Sequence, residues 1–314
     1  MALLAVLLLA AVMSVLAMAM LDDIRFGQRR AGNAQAIAQA QRYALGTEAL
    51  AQRRIGELQR EHSPIAAWNG KPLLFPIENG LIRATLRDAS TCFNLNSVVE
   101  GVPEQWTRRE LGVRQYVALL QALGITAAQA QALADTLADW IDTDAQRAPL
   151  GAEDSTYAAL RPAYRTAATL LAEPSELRAI HGYDTATYAR LRPYVCTLPG
   201  AQLSPVNVNA LAPEQAPVLS MLSLGKLSRG EAQRLIAQRP PRGWPDALAF
   251  WSQPALVQAG LPNEVYDQIQ LRPRWFALQS EVEYAGAQAT LGALLELDGG
   301  GRARLATRRW TPEE

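Results

Sequence analysis

The first 21 residues, Met1 to Leu21, carry no charge, and Ser14 is their only polar side chain. As a helix rising 1.5 Å per residue, a run of that length crosses the roughly 30 Å hydrocarbon layer of a bilayer. The segment therefore predicts a membrane-spanning helix over residues 1–21, with Met1 and Leu21 at its ends and Ala5 inside it. A cleaved signal peptide and a generic single-pass anchor fit the same residues. Ala17-Met18-Ala19 has the form of a cleavage site, but a charged leading region is missing and the apolar run outlasts a usual signal core.

From Asp22 to Glu61 there is no proline, and alanine, glutamine, arginine and leucine dominate. These are good helix formers, so the membrane helix continues as an amphipathic stem over 22–62, ended by Ser63-Pro64. Ile24, Ala31, Ala34, Ala38, Leu45 and Ala49 recur at helical spacing and make a narrow stripe of mostly small residues.

Past Pro64 the period changes. Pro72 to Ile77 and Leu81 to Arg87 flank Glu78-Asn79-Gly80, and an Asn-Gly pair between apolar runs signals a hairpin. Near the other end, Phe276, Leu278, Ser280, Val282 and Tyr284 alternate, and Asp298 to Gly301 form a turn before Arg302 to Trp310. The expected fold is α+β: the long helix packs on a small antiparallel sheet built from two separated pieces, 63–92 and 273–314. Between them, residues 93–272 read as an all-helical insertion. It contains a weak repeat, Phe93-Asn94-Leu95-Asn96 and Val206-Asn207-Val208-Asn209, each followed by short leucine-bearing helices. Two SAM-like, helix-hairpin-like halves are therefore expected.

With 314 residues the chain is long enough for two compact units. Its 30 basic and 30 acidic residues cancel, so no global field favours a polyanion. Neither His62 nor His181 lies near a nucleophile motif, and no phosphate-cradling glycine loop occurs, which removes the common enzyme classes. Leu224-Gly225-Lys226-Leu227, with Arg229, Arg234, Arg239 and Arg242 nearby, leaves one rival: a membrane-anchored helix-hairpin-helix DNA-binding protein. The only two cysteines, Cys92 and Cys196, are either one disulfide or two incidental thiols. The densest acidic group is Asp135, Asp139, Asp142, Asp144, Glu153 and Asp154. Asp142 and Asp144 can face inward from a turn, and a bend at Gly151 can return Glu153 and Asp154. Such a loop suits either calcium, which takes six to eight oxygens, or plain solvation. Asp139, before Trp140, is expected to cap or pair within its own helix.

Several of these segments resemble one family. Met1-Ala2-Leu3-Leu4 with its aliphatic run, Met20-Leu21-Asp22, Ile24-Arg25-Phe26 and Gln41 to Gly46 look like the K subunit (GspK) of type II secretion systems, a minor pseudopilin. The family implies a pilin-like body with a helical insertion, a single-pass inner-membrane anchor and a periplasmic soluble part. Its implied role is to cap the pseudopilus tip with the I and J minor pseudopilins and to help initiate assembly for protein export. The implied partners also include the inner-membrane assembly platform, prepilin peptidase as processing enzyme and secreted substrates at the tip, with no nucleic acid. The basic leader that the peptidase removes is not among these residues. Most pilins carry glutamate at the place of Ala5, where it meets a neighbour's amine; a tip subunit has no neighbour above it to pair such a buried charge. The family further implies calcium in the acidic loop, with Asp142, Asp144, Glu153 and Asp154 as ligands. The surroundings of both cysteines, Thr91 to Asn96 and Arg192 to Cys196, also look like the family and imply a bridge.

Overall fold

The computed structural model describes residues 2–61 and 63–311. Met1, His62 and the side chain of Ala5 lie outside the described set. Helix α1 runs unbroken from Ala2 to Arg60. Among the described residues it is the one helix long and apolar enough to cross a membrane; its most apolar 18-residue window has a mean hydropathy of 2.7, and no part of that window is buried.

Farther along, α1 buries Ala36, Ala40, Ala44, Ala51, Ile55 and Leu58. The alanines let the helix axis approach the sheet closely, and Ile55 and Leu58 fill the wider end. The stripe noted in the sequence lies on another side. At about 100° per residue it sits roughly 140° round the helix from the buried face, and Ile24 and Leu45 remain 56% and 38% exposed. One face of the stem is spent on the chain's own sheet, and a second small-residue face is left open.

After α1 come a single turn, α2 (Ile65–Trp68), and the hairpin β1 (Pro72–Ile77) and β2 (Gly80–Asp88). Ile77 pairs with Gly80, so the turn residues are Glu78 and Asn79, the latter at φ 60°. Gly80 is already in the ladder, where a Cβ would run into the carbonyl oxygen of Glu283. The Asn-Gly signal thus marks the hairpin correctly, with the asparagine supplying the left-handed residue and the glycine a close strand approach.

The insertion begins with β3 (Phe93–Asn94), a hairpin of β4 (Val99–Val102) and β5 (Gln105–Arg108), and the packed pair α3 (Glu110–Ala122) and α4 (Ala127–Ile141). It continues through α5 (Asp154–Ala158), α6 (Thr185–Leu191) and β6 (Val195–Cys196), which returns to lie parallel to β3. A second unit follows: β7 (Val206–Asn207), α7 (Ala216–Leu222), α8 (Arg229–Ala237), α9 (Ala247–Trp251), α10 (Pro254–Ala259), α11 (Asn263–Tyr266) and β8 (Ile269–Gln270), again parallel to β7. The repeated Asn-x-Asn segments therefore mark the opening strand of each unit. Both units share one continuous core, from Phe93 and Tyr116 to Leu222 and Val265. A buried amide pair, Gln115 with Gln268 at 2.6 Å, crosses between them. The three two-stranded ladders are an addition to the helical reading of this region.

The chain then completes the sheet with β9 (Trp275–Tyr284), β10 (Ala287–Leu297) and β11 (Ala303–Arg309). The order is β1-β2-β9-β10-β11, antiparallel throughout. Strands β9 and β11 match the segments expected from sequence. β10 has no counterpart in that reading, because alanine, glycine and threonine blur its alternation. The stem packs on β9 and β10 through Leu278, Leu291, Ala293 and Leu295. Arg308 of β11 forms a two-pronged ion pair with the buried Glu48 of α1, both contacts at 2.7 Å, a geometry that locks the last strand to the stem.

Candidate functional site

The acidic group sits where α4 ends against the β4–β5 hairpin. Asp135, Asp139 and Asp142 fall at i, i+4 and i+7 and so share one face of α4. Asp135 is ion-paired with Arg108 of β5 at 2.8 Å and accepts from the Gln131 amide and the Leu150 backbone N–H. Asp139 accepts the Ala148 N–H and, with Ala152, holds the returning loop to the helix. Its partners are therefore in the loop and not, as the sequence suggested, within its own helix. A Cβ on Gly151 would collide with the Asp139 carboxylate, so glycine is required for that close passage. Thr143 fixes the exit from the helix, donating from both N–H and hydroxyl to the Trp106 carbonyl.

This scaffold gathers Asp142, Asp144 and Glu153, each offering one oxygen within 4.8 Å of the others. Asp142 and Glu153 are buried, and Oδ1 of Asp142 and Oε1 of Glu153 have no hydrogen-bond partner among the described residues. Burial, and then the negative charges of Asp144, Asp139 and Glu153, push the Asp142 carboxyl up to about 7. Burial and Asp139 raise Glu153 as well. Orphaned carboxylate oxygens that repel one another are costly unless a cation joins them. An all-oxygen set of this kind fits a hard divalent ion such as calcium. Asp154 does not join the three: its carboxylate accepts from the N–H and hydroxyl of Thr166, both at 3.0 Å. Sequence spacing alone could not separate Asp154 from its neighbour Glu153, and it gave no hint that Arg108 and Asp135 brace the site from 27 residues apart.

Cys92 and Cys196 are joined in a disulfide with Cα atoms 5.8 Å apart. It ties the entrance of the insertion to the end of its first unit, beside the β3–β6 ladder. His181 is exposed in a turn. At the other rival site, the turn after α7 uses its own donors: the N–H groups of Leu224, Gly225 and Lys226 bond to carbonyls of Met221, Ser220 and Ser223, and Leu227 N–H bonds to the Ser223 hydroxyl. Lys226 Nζ donates to the carbonyls of Ala259 and Gly260. A phosphate would find no free backbone donors there.

Two family models described as type II secretion system (T2SS), protein K, match residues 91–200 and 206–272, which correspond to the two units of the insertion. Type II secretion system protein K of Klebsiella pneumoniae is 37% identical, covering 93% of this chain and 88% of the relative. The protein of the same name from Pectobacterium carotovorum subsp. carotovorum is 33% identical over 95% of this chain and 92% of its own length. Among solved structures, a chain of the GspK-GspI-GspJ complex of enterotoxigenic Escherichia coli superposes with a TM-score of 0.77 at 29% identity, covering 90% of this chain and all of that one.

Proposed function

Because the chain belongs to the type II secretion system protein K family, we propose that it is the minor pseudopilin that caps the periplasmic pseudopilus, together with the I and J minor pseudopilins, and helps to initiate its assembly. The observation that carries this reading is where the insertion is mounted. It leaves the sheet after Asp88 and re-enters before Trp275, at the sheet end next to Trp68, which follows the stem and packs on Phe276 at 5.6 Å. That is the end of the stem farthest from the apolar segment, roughly 90 Å along the helix. A body there stands where the next subunit of a filament would stack. The open stripe from Ile24 to Ala49 gives partner stems a close-approach surface, and the apolar part of α1 serves as the single inner-membrane anchor before assembly.

The role is structural. The inner-membrane assembly platform, prepilin peptidase and secreted cargo are the remaining partners in this scheme. Calcium, held by Asp142, Asp144 and Glu153, would neutralise the carboxylate cluster and fix the loop between α4 and α5. The test is to co-express the full chain with the I and J subunits of its own system and to count its copies on isolated pseudopili. A stable three-subunit complex and label confined to one filament end are expected. Label spread along the filament would end the capping assignment. Ala5→Glu is expected not to improve assembly, since a tip subunit offers the new carboxylate no partner.

A further inference from the structure

Between the end of the stem and the second unit of the insertion lies a cleft of about 890 Å³, within the size range of ligand pockets. Trp68 and Phe276, in contact with each other, and Trp244 of the second unit all line it. Pro64, Pro241, Pro245 and Pro273 stiffen the walls, so little order has to be imposed when something binds. Gly243, at φ 84°, makes the turn that carries Arg242, and a Cβ there would strike Asn209.

The charge of the cleft is one-sided. Arg239, Arg242 and Arg272 line it and, among the described residues, no carboxylate does, although acidic and basic residues are equal in number over the whole chain. The nearby Asp246 is engaged elsewhere, capping α9 through the Ala249 N–H. Arg239 is held by the carbonyls of Val208 and Leu211. Arg242 and Arg272 are exposed and have no hydrogen-bond or ion-pair partner among the described residues. Two unpaired guanidinium forks beside aromatic and proline surfaces call for a ligand that is anionic and apolar at once.

We propose that this cleft docks an extended segment of another protein in which a carboxylate side chain neighbours an aromatic or aliphatic one. The carboxylate pairs with Arg242 and Arg272, and its apolar neighbour lies against Trp68 and Trp244. The backbone donors of the turn after α7, which a helix-hairpin-helix module would turn towards phosphate, are spent internally. The cleft is present whether or not the chain stands at a filament tip.

The experiment is selection of a phage-displayed random heptapeptide library on the full chain in lipid nanodiscs, then fluorescence polarisation with the selected peptides. Enrichment of sequences pairing Asp or Glu with an apolar residue is expected. Their affinity should fall about tenfold or more in the R242Q/R272Q variant, and likewise when the peptide carboxylates become amides. Because neither arginine has a partner among the described residues, the variant should keep the parent's melting temperature; the single variants, each expected to show part of the loss, guard against a folding defect in the double one. No enrichment, enrichment without acidic residues, or equal binding to the variant overturns the proposal. Tight binding of a single-stranded oligonucleotide that is lost in the same variant overturns it in favour of nucleic acid.

Discussion

Asn96 in the first unit of the insertion and Asn209 in the second occupy matching places. Asn96 donates from Nδ2 to the carbonyls of Leu171 and Leu198 and accepts the Leu171 N–H; Asn209 does the same with Trp244 and Leu271, accepting the Trp244 N–H. The preceding asparagines diverge. Asn94 donates to the carbonyls of Gly200 and Gln202, whereas Asn207 donates to the buried carboxylate of Asp88 at 2.6 Å. Around the shared suture the first unit adds a disulfide, a hairpin and the acidic cluster, and the second adds the arginine cleft. Backbone bonds that a fold cannot satisfy alone are kept in both copies, and the loops are free to take on separate chemistry.

The largest test of that contrast is removal of the bridge. It closes a separation of 104 residues that encloses the first unit, and the chain-entropy model assigns a loop of that size about 4–5 kcal/mol. Cys92→Ser with Cys196→Ser should therefore lower stability by up to that amount, with hydrogen exchange rising first in α3 and α4. Equal loss of protection in α7 and α8 would mean that the two units unfold as one.

Next come the sutures themselves. Asn96→Ala leaves three fully buried backbone groups unpaired and should cost about 3 kcal/mol. Asn209 is partly exposed, so Asn209→Ala should cost about half as much, because water can replace its bonds. Urea denaturation of both variants decides it; equal costs would remove the distinction in burial between the two sites.

Calcium should act on the first unit alone. At 100 times its dissociation constant a ligand adds about 2.7 kcal/mol, read as a rise in melting temperature that Asp142→Ala with Asp144→Ala abolishes. A shift that survives in that double variant would locate the ion elsewhere, and no shift in the parent would leave a solvated acidic loop.

The last effect lies where the second unit meets β2, at the Asp88–Asn207 contact. Burial pushes the Asp88 carboxyl up to about 6 despite its bonds from Ser90 and Asn207, above the value near 3.9 of an unfolded chain. The native state then holds the proton more firmly, so this contribution is complete below about pH 4 and fades as pH rises through 6. Between pH 4.5 and 6.5 it amounts to about 2 kcal/mol. Asp88→Asn should flatten the melting temperature across that interval; an unchanged slope would assign it to other carboxylates.

What the sequence revealed and what it hid follow from range. The helix of α1, the β1–β2 hairpin and the Asn-x-Asn openings are written in neighbouring residues and could be read directly. Which face of the stem is buried could not, because alanine lies on both sides of it. The acidic loop was visible as a cluster, but its division of labour depends on Arg108, Thr166 and Leu150, contacts that no local spacing encodes. The Glu48–Arg308 pair spans 260 residues and has no local signature at all.

Strands β2 and β9 are neighbours at the heart of the sheet, yet residues 89–274 lie between them. While that stretch is unfolded, joining the two ends costs on the order of 4–5 kcal/mol in loop entropy. Once the insertion has folded, Asp88 and Trp275 are already held side by side, as the Ala89 N–H bond to the Trp275 carbonyl shows. An insertion that folds first presents β2 with its partner and removes most of that cost when β9 pairs. Along that route the five-stranded sheet under α1 is completed only after the 186 residues between its two halves have folded.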